Sequence, residues 1–299
     1  MIYYDPHKWL DHFFDLRGSL VKEIGARVGT CVVWSAAVVA FHRMVAPVDG
    51  SPILHSLVGL ALGLLLVFRT NASYDRYWEG RRLWGGIVNE TRNLIRAGSV
   101  NLREDPRLLQ QLTRWTALFP WTVMSALRGE QNFGAIANEL SPQDRAELHG
   151  AHHAALYAAQ RMSAYLRQAL ELRLVSDIIY TSLDQNVQQL VGYLGGCERI
   201  RKTPLPFAYV VHLRRALVIY CFTLPFALVG TFGWWTVLSV FLVAYTYFGV
   251  EEIGVEIEGP FGNDANDLPL EEICLTIQRN LFAMAEMGHP EREALPEGL

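Results

Sequence analysis

Charge is scarce in this chain. Asp, Glu, Lys and Arg supply 19% of its 299 residues, and the formal net charge is -4. An ordinary soluble chain carries about 25% charged residues. There is no basic block, which removes the electrostatic footprint a nucleic-acid binder needs. Cysteine is nearly absent too. Cys31, Cys197, Cys221 and Cys274 show neither a metal-ligand spacing nor a paired framework. That excludes a disulfide scaffold and suits a reducing interior. Strand alternation, internal repeats and low-complexity tracts are missing. So are a hydrolytic triad, a nucleophile elbow and a phosphate cradle; "GLALG" at 59–63 follows no strand. The chain reads as a non-enzyme. Its first residues, "MIYYDPHKWLDHFFDLRG", lack a basic start ahead of an apolar core, so no cleaved signal is expected. Their acidic and aromatic character suits a segment lying at a membrane surface, over residues 1–27.

Long apolar runs are what the chain has instead, and the mean hydropathy is +0.15. The first covers 28–48, with His42 and Arg43 near its far end. The second, 53–68, is 16 residues long and makes about 24 Å of helix. That is short for a hydrocarbon layer of about 30 Å, yet too uniformly apolar for one face of a surface helix. The stretch 216–250 has no charge in 35 residues and contains Pro225, Gly230 and Gly233. One straight helix of that length overshoots a bilayer. Two spans joined near "GTFGWW" fit, with Trp234 and Trp235 at an interface. Four transmembrane helices are therefore expected, two within 28–68 and two within 216–250.

Loop charges orient them. Arg17, Lys22 and Arg27 precede the first run, and Arg69, Arg76, Arg81 and Arg82 follow the second. Arg214 and Arg215 precede the third, whereas both hairpin tips lack Lys and Arg. The positive-inside rule puts both termini and the middle of the chain in the cytoplasm, across a plasma (inner) membrane. The middle, 69–215, reads as a helical bundle in water, and 251–299 as a cytosolic tail. "SPQD" at 141–144 is a helix start. The helical pattern that follows extends over 145–173. Another helix is expected over 177–194, ending at Gly195 and Gly196.

Leu60, Leu64 and Phe68 recur at i, i+4 and i+8, and Gly59 and Gly63 form a GxxxG beside them. Four spans of one chain cannot easily enclose a water path with so smooth a helix. Several copies around an axis can, by stacking rings of these side chains into a hydrophobic constriction. A plain buried or lipid-facing helix is the alternative.

"FRTNASYDRYWEGRRLWG" (68–85), "LGGCERIRKTPLPFAY" (194–209), "LPFALVG" (224–230) and "PFGNDANDLPL" (260–270) follow one another in an order and spacing that resemble the bestrophin family in its bacterial branch. The resemblance implies an all-α membrane protein with a cytosolic helical bundle, assembled as a cyclic homopentamer around a central pore that conducts monovalent ions. It carries the neck to Leu60, Leu64 and Phe68, and a cytosolic constriction to Ile178. It also offers calcium as a ligand of the turn containing Asp264 and Asp267, although no cofactor is required; the alternative there is a polar turn with Asp267 capping a helix from Leu268. Selectivity stays open between anions and cations, because leucine lacks the positive edge of an aromatic ring. The expected partners are further copies of the chain, the lipid bilayer and the permeant ions.

Other residues carry weaker expectations. Glu251, Glu252, Glu256 and Glu258 suit a solvated face, subunit salt bridges or a cation-attracting vestibule. His149, His152 and His153 at i, i+3 and i+4 suit an exposed helix face, with zinc as the sharper option; a membrane-bound metal-dependent enzyme or sensor using that face or the acidic turn is the rival to an ion channel. Arg69 and Arg76 suit ion pairs with Asp75 or Glu79 between subunits, or a cationic mouth. His212, Arg214 and Arg215 suit contact with lipid headgroups.

Overall fold

The computed structural model describes residues 20–48 and 50–287, together with His7. Most of the interfacial segment expected over 1–27, and the end of the tail expected over 251–299, lie outside the described residues. Among the described residues the protein is helical, without strands. In chain order the helices are α1 (Val21–Met44), α2 (Pro52–Asn101), α3 (Pro106–Arg128), α4 (Pro142–Gly150), α5 (Ala154–Glu171), α6 (Asp177–Lys202), α7 (Phe207–Phe232), α8 (Trp235–Glu256) and α9 (Leu270–Met287), with a 3-10 turn at Ala135–Glu139. They form two compact units. Of the described residues, the first unit holds those up to Trp78 and Thr203–Asp267; the second holds Glu79–Lys202 and those from Leu268 onward.

The first unit contains four helices long and apolar enough to cross a membrane: α1, α7, α8 and the leading part of α2. Helix α8 packs on α1 and α7. Ile24, Val28, Leu62, Leu66, Leu217, Leu224, Val240 and Phe248 are among the residues that close the core. The α7–α8 hairpin turns where the sequence predicts. Gly233 adopts φ +51°, which costs little without a Cβ, and its N–H reaches the Val229 carbonyl. Pro225 stays inside α7, as proline can in a span when neighbours satisfy the freed carbonyl. Helix α1 begins at Val21 rather than at residue 28, so it includes Lys22, Glu23 and Arg27. Apolarity marks where a span meets hydrocarbon, and the helix itself has no reason to stop there.

The second unit is organised around α3, on which α5 and α9 pack, with α6 against α5. Asp105 caps α3 by accepting from the N–H groups of Arg107 and Leu108, Pro106 follows at the first turn, and Gly129 ends the helix at φ +72°. The "SPQD" start is observed: the Ser141 hydroxyl accepts from the Asp144 N–H at 3.0 Å, opening α4. The single helix expected over 145–173 is instead two. Helix α4 stops at Gly150, and α5 opens at Ala154 with His153 as its cap, its Nδ1 accepting from the Leu156 N–H. His149, His152 and His153 therefore do not share one helix face. Helix α6 also differs, continuing to Lys202 instead of ending at Gly195 and Gly196. Gly196 is a packing glycine: a Cβ there would lie 2.7 Å from a methyl of Leu83.

Candidate pore-lining helix

Helix α2 has two unlike faces where it runs through the first unit. Leu62 and Leu66 are 3% exposed and lie in the core. Three tyrosines crowd the same side. Tyr247 donates its hydroxyl to the Gly59 carbonyl at 2.9 Å. Tyr209 donates to the Leu65 carbonyl at 3.0 Å. A Cβ on Gly59 would meet the Tyr220 hydroxyl at 2.6 Å, whereas one on Gly63 would meet nothing within 4 Å. Of the GxxxG pair, Gly59 and not Gly63 serves close approach among the described residues.

The other face is bare. Leu60 is 76% exposed, Leu64 55% and Phe68 56%. Ile53, Leu57 and Val67 extend the uncovered strip. Among the described residues, the three that the sequence singles out are each left more than half exposed. Ile178 is bare as well, 80% exposed in the first turn of α6 in the second unit.

Charged side chains hold the end of this span. Arg69, the first residue after the stripe, turns away from it and is 1% exposed. Its Nη2 lies 2.7 Å from Glu258 Oε2, and its Nη1 donates to the Ser73 hydroxyl at 3.1 Å. Arg76 Nε donates to the Glu258 carbonyl at 3.1 Å, and its Nη1 donates to the Thr203 carbonyl. Burial pushes the Glu258 carboxyl up, but the Leu205 N–H and the Arg69 guanidinium outweigh this and hold it below the usual range. For Arg69 the expectation of a pair with Asp75 or Glu79 is corrected: it is buried on Glu258, and Glu79 pairs with Arg199. The reason is depth. A guanidinium ending an apolar run is desolvated, so it takes the carboxylate that shares its burial. Sequence reasoning passed over Glu258 as its partner. The available signal was an arginine closing an apolar run, which demands a counter-charge.

The other carboxylates are also used internally rather than forming a solvated face. Glu251 is 2% exposed and pairs with Arg214 at 2.7 Å and Arg27 at 3.7 Å; Glu252 pairs with Arg27 at 2.6 Å. Glu256 accepts from Asn266 at 2.6 Å. Asp267 is buried, and its Oδ2 accepts from the Asp264 N–H at 2.8 Å. It helps close its own turn, and the following helix begins two residues later than expected, at Leu270. No group of three or more His, Cys, Asp or Glu side chains among the described residues is arranged to hold a metal ion. Asp264 and Asp267 are a sparse set for calcium, which takes about six to eight oxygens. His153 is engaged with Glu198 at 2.6 Å; that hydrogen bond holds the Glu198 carboxyl below its ordinary range.

Known proteins share this arrangement. Residues 1–283 match the family described as Bacterial/Fungal Bestrophin protein. A voltage-dependent anion channel-forming protein of Nostoc is 41% identical over 285 residues, covering 94% of this chain and 92% of the relative. The voltage-dependent anion channel-forming protein YneE of Escherichia coli K12 is 30% identical over 301 residues, 99% of this chain and 98% of YneE. A crystal structure of a bacterial bestrophin homolog from Klebsiella pneumoniae superposes with a TM-score of 0.83 at 31% identity, covering 89% of this chain and 100% of that one. Four apolar helices, an internally charge-paired span end and a match along nearly the whole length lead to one conclusion: this chain is a membrane protein that belongs to the bacterial/fungal bestrophin family.

Proposed function

We propose that copies of this chain assemble as a cyclic homopentamer and conduct small monovalent ions passively along the shared axis. Each copy presents the bare face of α2 inward. Leu60, Leu64 and Phe68 stack as rings and form a dry neck that closes by dewetting. Ile178 forms a second ring in the cytosolic bundle. The single observation that carries this reading is the asymmetry of α2: one face is locked by tyrosines and core leucines, while the face bearing the three-residue stripe is uncovered. The relatives' names favour anions, and we place the chain with them as an anion channel in the inner membrane with both termini in the cytoplasm. Conduction involves no covalent chemistry and no required cofactor. The turn at Asp264–Asp267 acts as a structural closure, and chelating calcium leaves flux unchanged.

One observation favours a second reading, conduction of sodium and similar cations: Leu60 and Leu64 present no aromatic edge to attract an anion. Molar mass in detergent tests the assembly. Salt-gradient reversal potentials in planar bilayers test the rest. A potential near that of chloride supports the anion channel, one near that of sodium selects the cation channel, and a pentamer with no current ends both.

A further inference from the structure

At one end of the spans of the first unit lies a cavity of about 240 Å³, lined by Arg27, Arg214, Leu217, Val218, Phe248 and Glu251. Its two halves differ in chemistry. Arg27 on α1 and Arg214 on α7 stand beside Glu251, and both side chains remain about half exposed, at 45% and 50%. Their carboxylate partners sit behind them, with side chains only 3% exposed for Glu251 and 11% for Glu252. Arg214 spends only its Nε on Glu251, and Arg27 only its Nη1 on Glu251 and Glu252. Among the described residues, no acceptor takes the other N–H groups of either. Leu217 and Val218 follow Arg214 by three and four residues on α7, and Phe248 precedes Glu251 by three on α8. The apolar wall therefore begins one helical turn, about 5 Å, deeper than the charges.

We propose that this cavity binds one anionic phospholipid, its phosphate against Arg27 and Arg214 and the start of an acyl chain along Leu217, Val218 and Phe248. The carboxylates fix the two guanidiniums in place, so free N–H forks face outward in a geometry that suits a phosphate. Basic pockets between spans at the headgroup level select anionic lipids in this way. Both arginines sit where uncharged runs begin, at residues 28 and 216, which is headgroup depth. The depth order of charge and apolar wall matches a lipid and does not match a free ion, which needs no apolar half. The proposal requires the chain to be in a membrane but does not depend on its conducting ions.

The test is lipid retention by the purified full-length protein, read by native mass spectrometry after exchange into detergent with phosphatidylglycerol or phosphatidylcholine. Wild type is expected to keep phosphatidylglycerol and lose phosphatidylcholine. Val218→Trp fills the apolar half without touching a charge. It is expected to lower phosphatidylglycerol retention about fivefold or more, at unchanged oligomer mass. The charge-balanced pair Arg214→Gln with Glu251→Gln is expected to do the same, and Val218→Trp carries the test if that pair does not fold. Millimolar glycerol phosphate is expected not to displace the lipid. Displacement by it would mean a free-anion site, and a Val218→Trp oligomer that falls apart would mean that a second copy covers the cavity. Either result, equal retention of the two lipids, or unchanged retention in Val218→Trp overturns the proposal.

Discussion

Helices α3 and α8 are nearly the same length, 23 and 22 residues, and belong to different units. Helix α3 carries Arg107, Gln110, Gln111 and Arg114 along with its leucines, yet 16 of its residues are buried. Helix α8 has no charge before Glu251, yet only seven of its residues are buried, two of them glutamates. Leu238, Phe241, Leu242 and Tyr245 of α8 stand bare. The contrast shows which solvent each unit answers to. In water, apolar side chains are driven onto one stripe and covered. In a bilayer they have no such drive, because lipid tails are as apolar as leucine, so packing and polar contacts hold the helices together. Accordingly the first unit draws charged groups into its packing: the pair of Arg69 with Glu258 and the carboxylate of Glu251. The buried hydroxyls of Thr113, Thr116 and Thr122 in α3 each bond to a carbonyl of their own helix.

Breaking each unit by its own logic gives the largest effects. Glu258→Gln leaves Arg69 buried without a counter-charge, at a cost of about 3–5 kcal/mol, read as a lowered melting temperature of the purified protein. Acid attacks the same contact. The Glu258 carboxyl is held below the usual carboxylate range, so its contribution is full at neutral pH and fades as the pH falls through the lowered value. An acid melting series checks this, and Glu258→Gln should flatten it. Leu112→Ala, at a position with 0% exposure in α3, is expected to cost about 2–5 kcal/mol by leaving a cavity. That loss appears in the same melt but is insensitive to lipid composition.

Leu64→Ala sharpens the contrast because it separates stability from function. The side chain is 55% exposed and packs little within its own chain. The monomer fold should change by less than about 1 kcal/mol, while liposome flux rises as the neck widens. Unchanged flux would remove Leu64 from the neck. The smallest effect is expected at Arg173, which ends α5 at φ +59°. Arg173→Gly relieves that left-handed strain and should stabilise the protein by about 0.5–1 kcal/mol, measured by chemical denaturation.

Much of this was legible in the chain itself, and the exceptions are instructive. The hairpin at Gly233 and the Ser141 cap are local events, decided by a few neighbouring residues, and they were read correctly. Gly196 and Gly150 were not. Each glycine has the same local preference, but Gly196 faces Leu83 and stays helical, while Gly150 ends a helix. Only the packing around each distinguishes them. The histidine cluster failed for the same reason, since one break between α4 and α5 redirects His153 onto Glu198.

Composition and spacing alone determined that the chain is helical, that four stretches suit a bilayer, and that Leu60, Leu64 and Phe68 share a stripe, because these follow from hydropathy and a period of 3.6 residues. Which acid neutralises Arg69, which glycine admits a tyrosine, and which face of α2 is left uncovered were decided by the tertiary structure. Those choices depend on side chains far apart in sequence competing for the same small volume and the same few counter-charges, and no local pattern encodes the outcome of that competition.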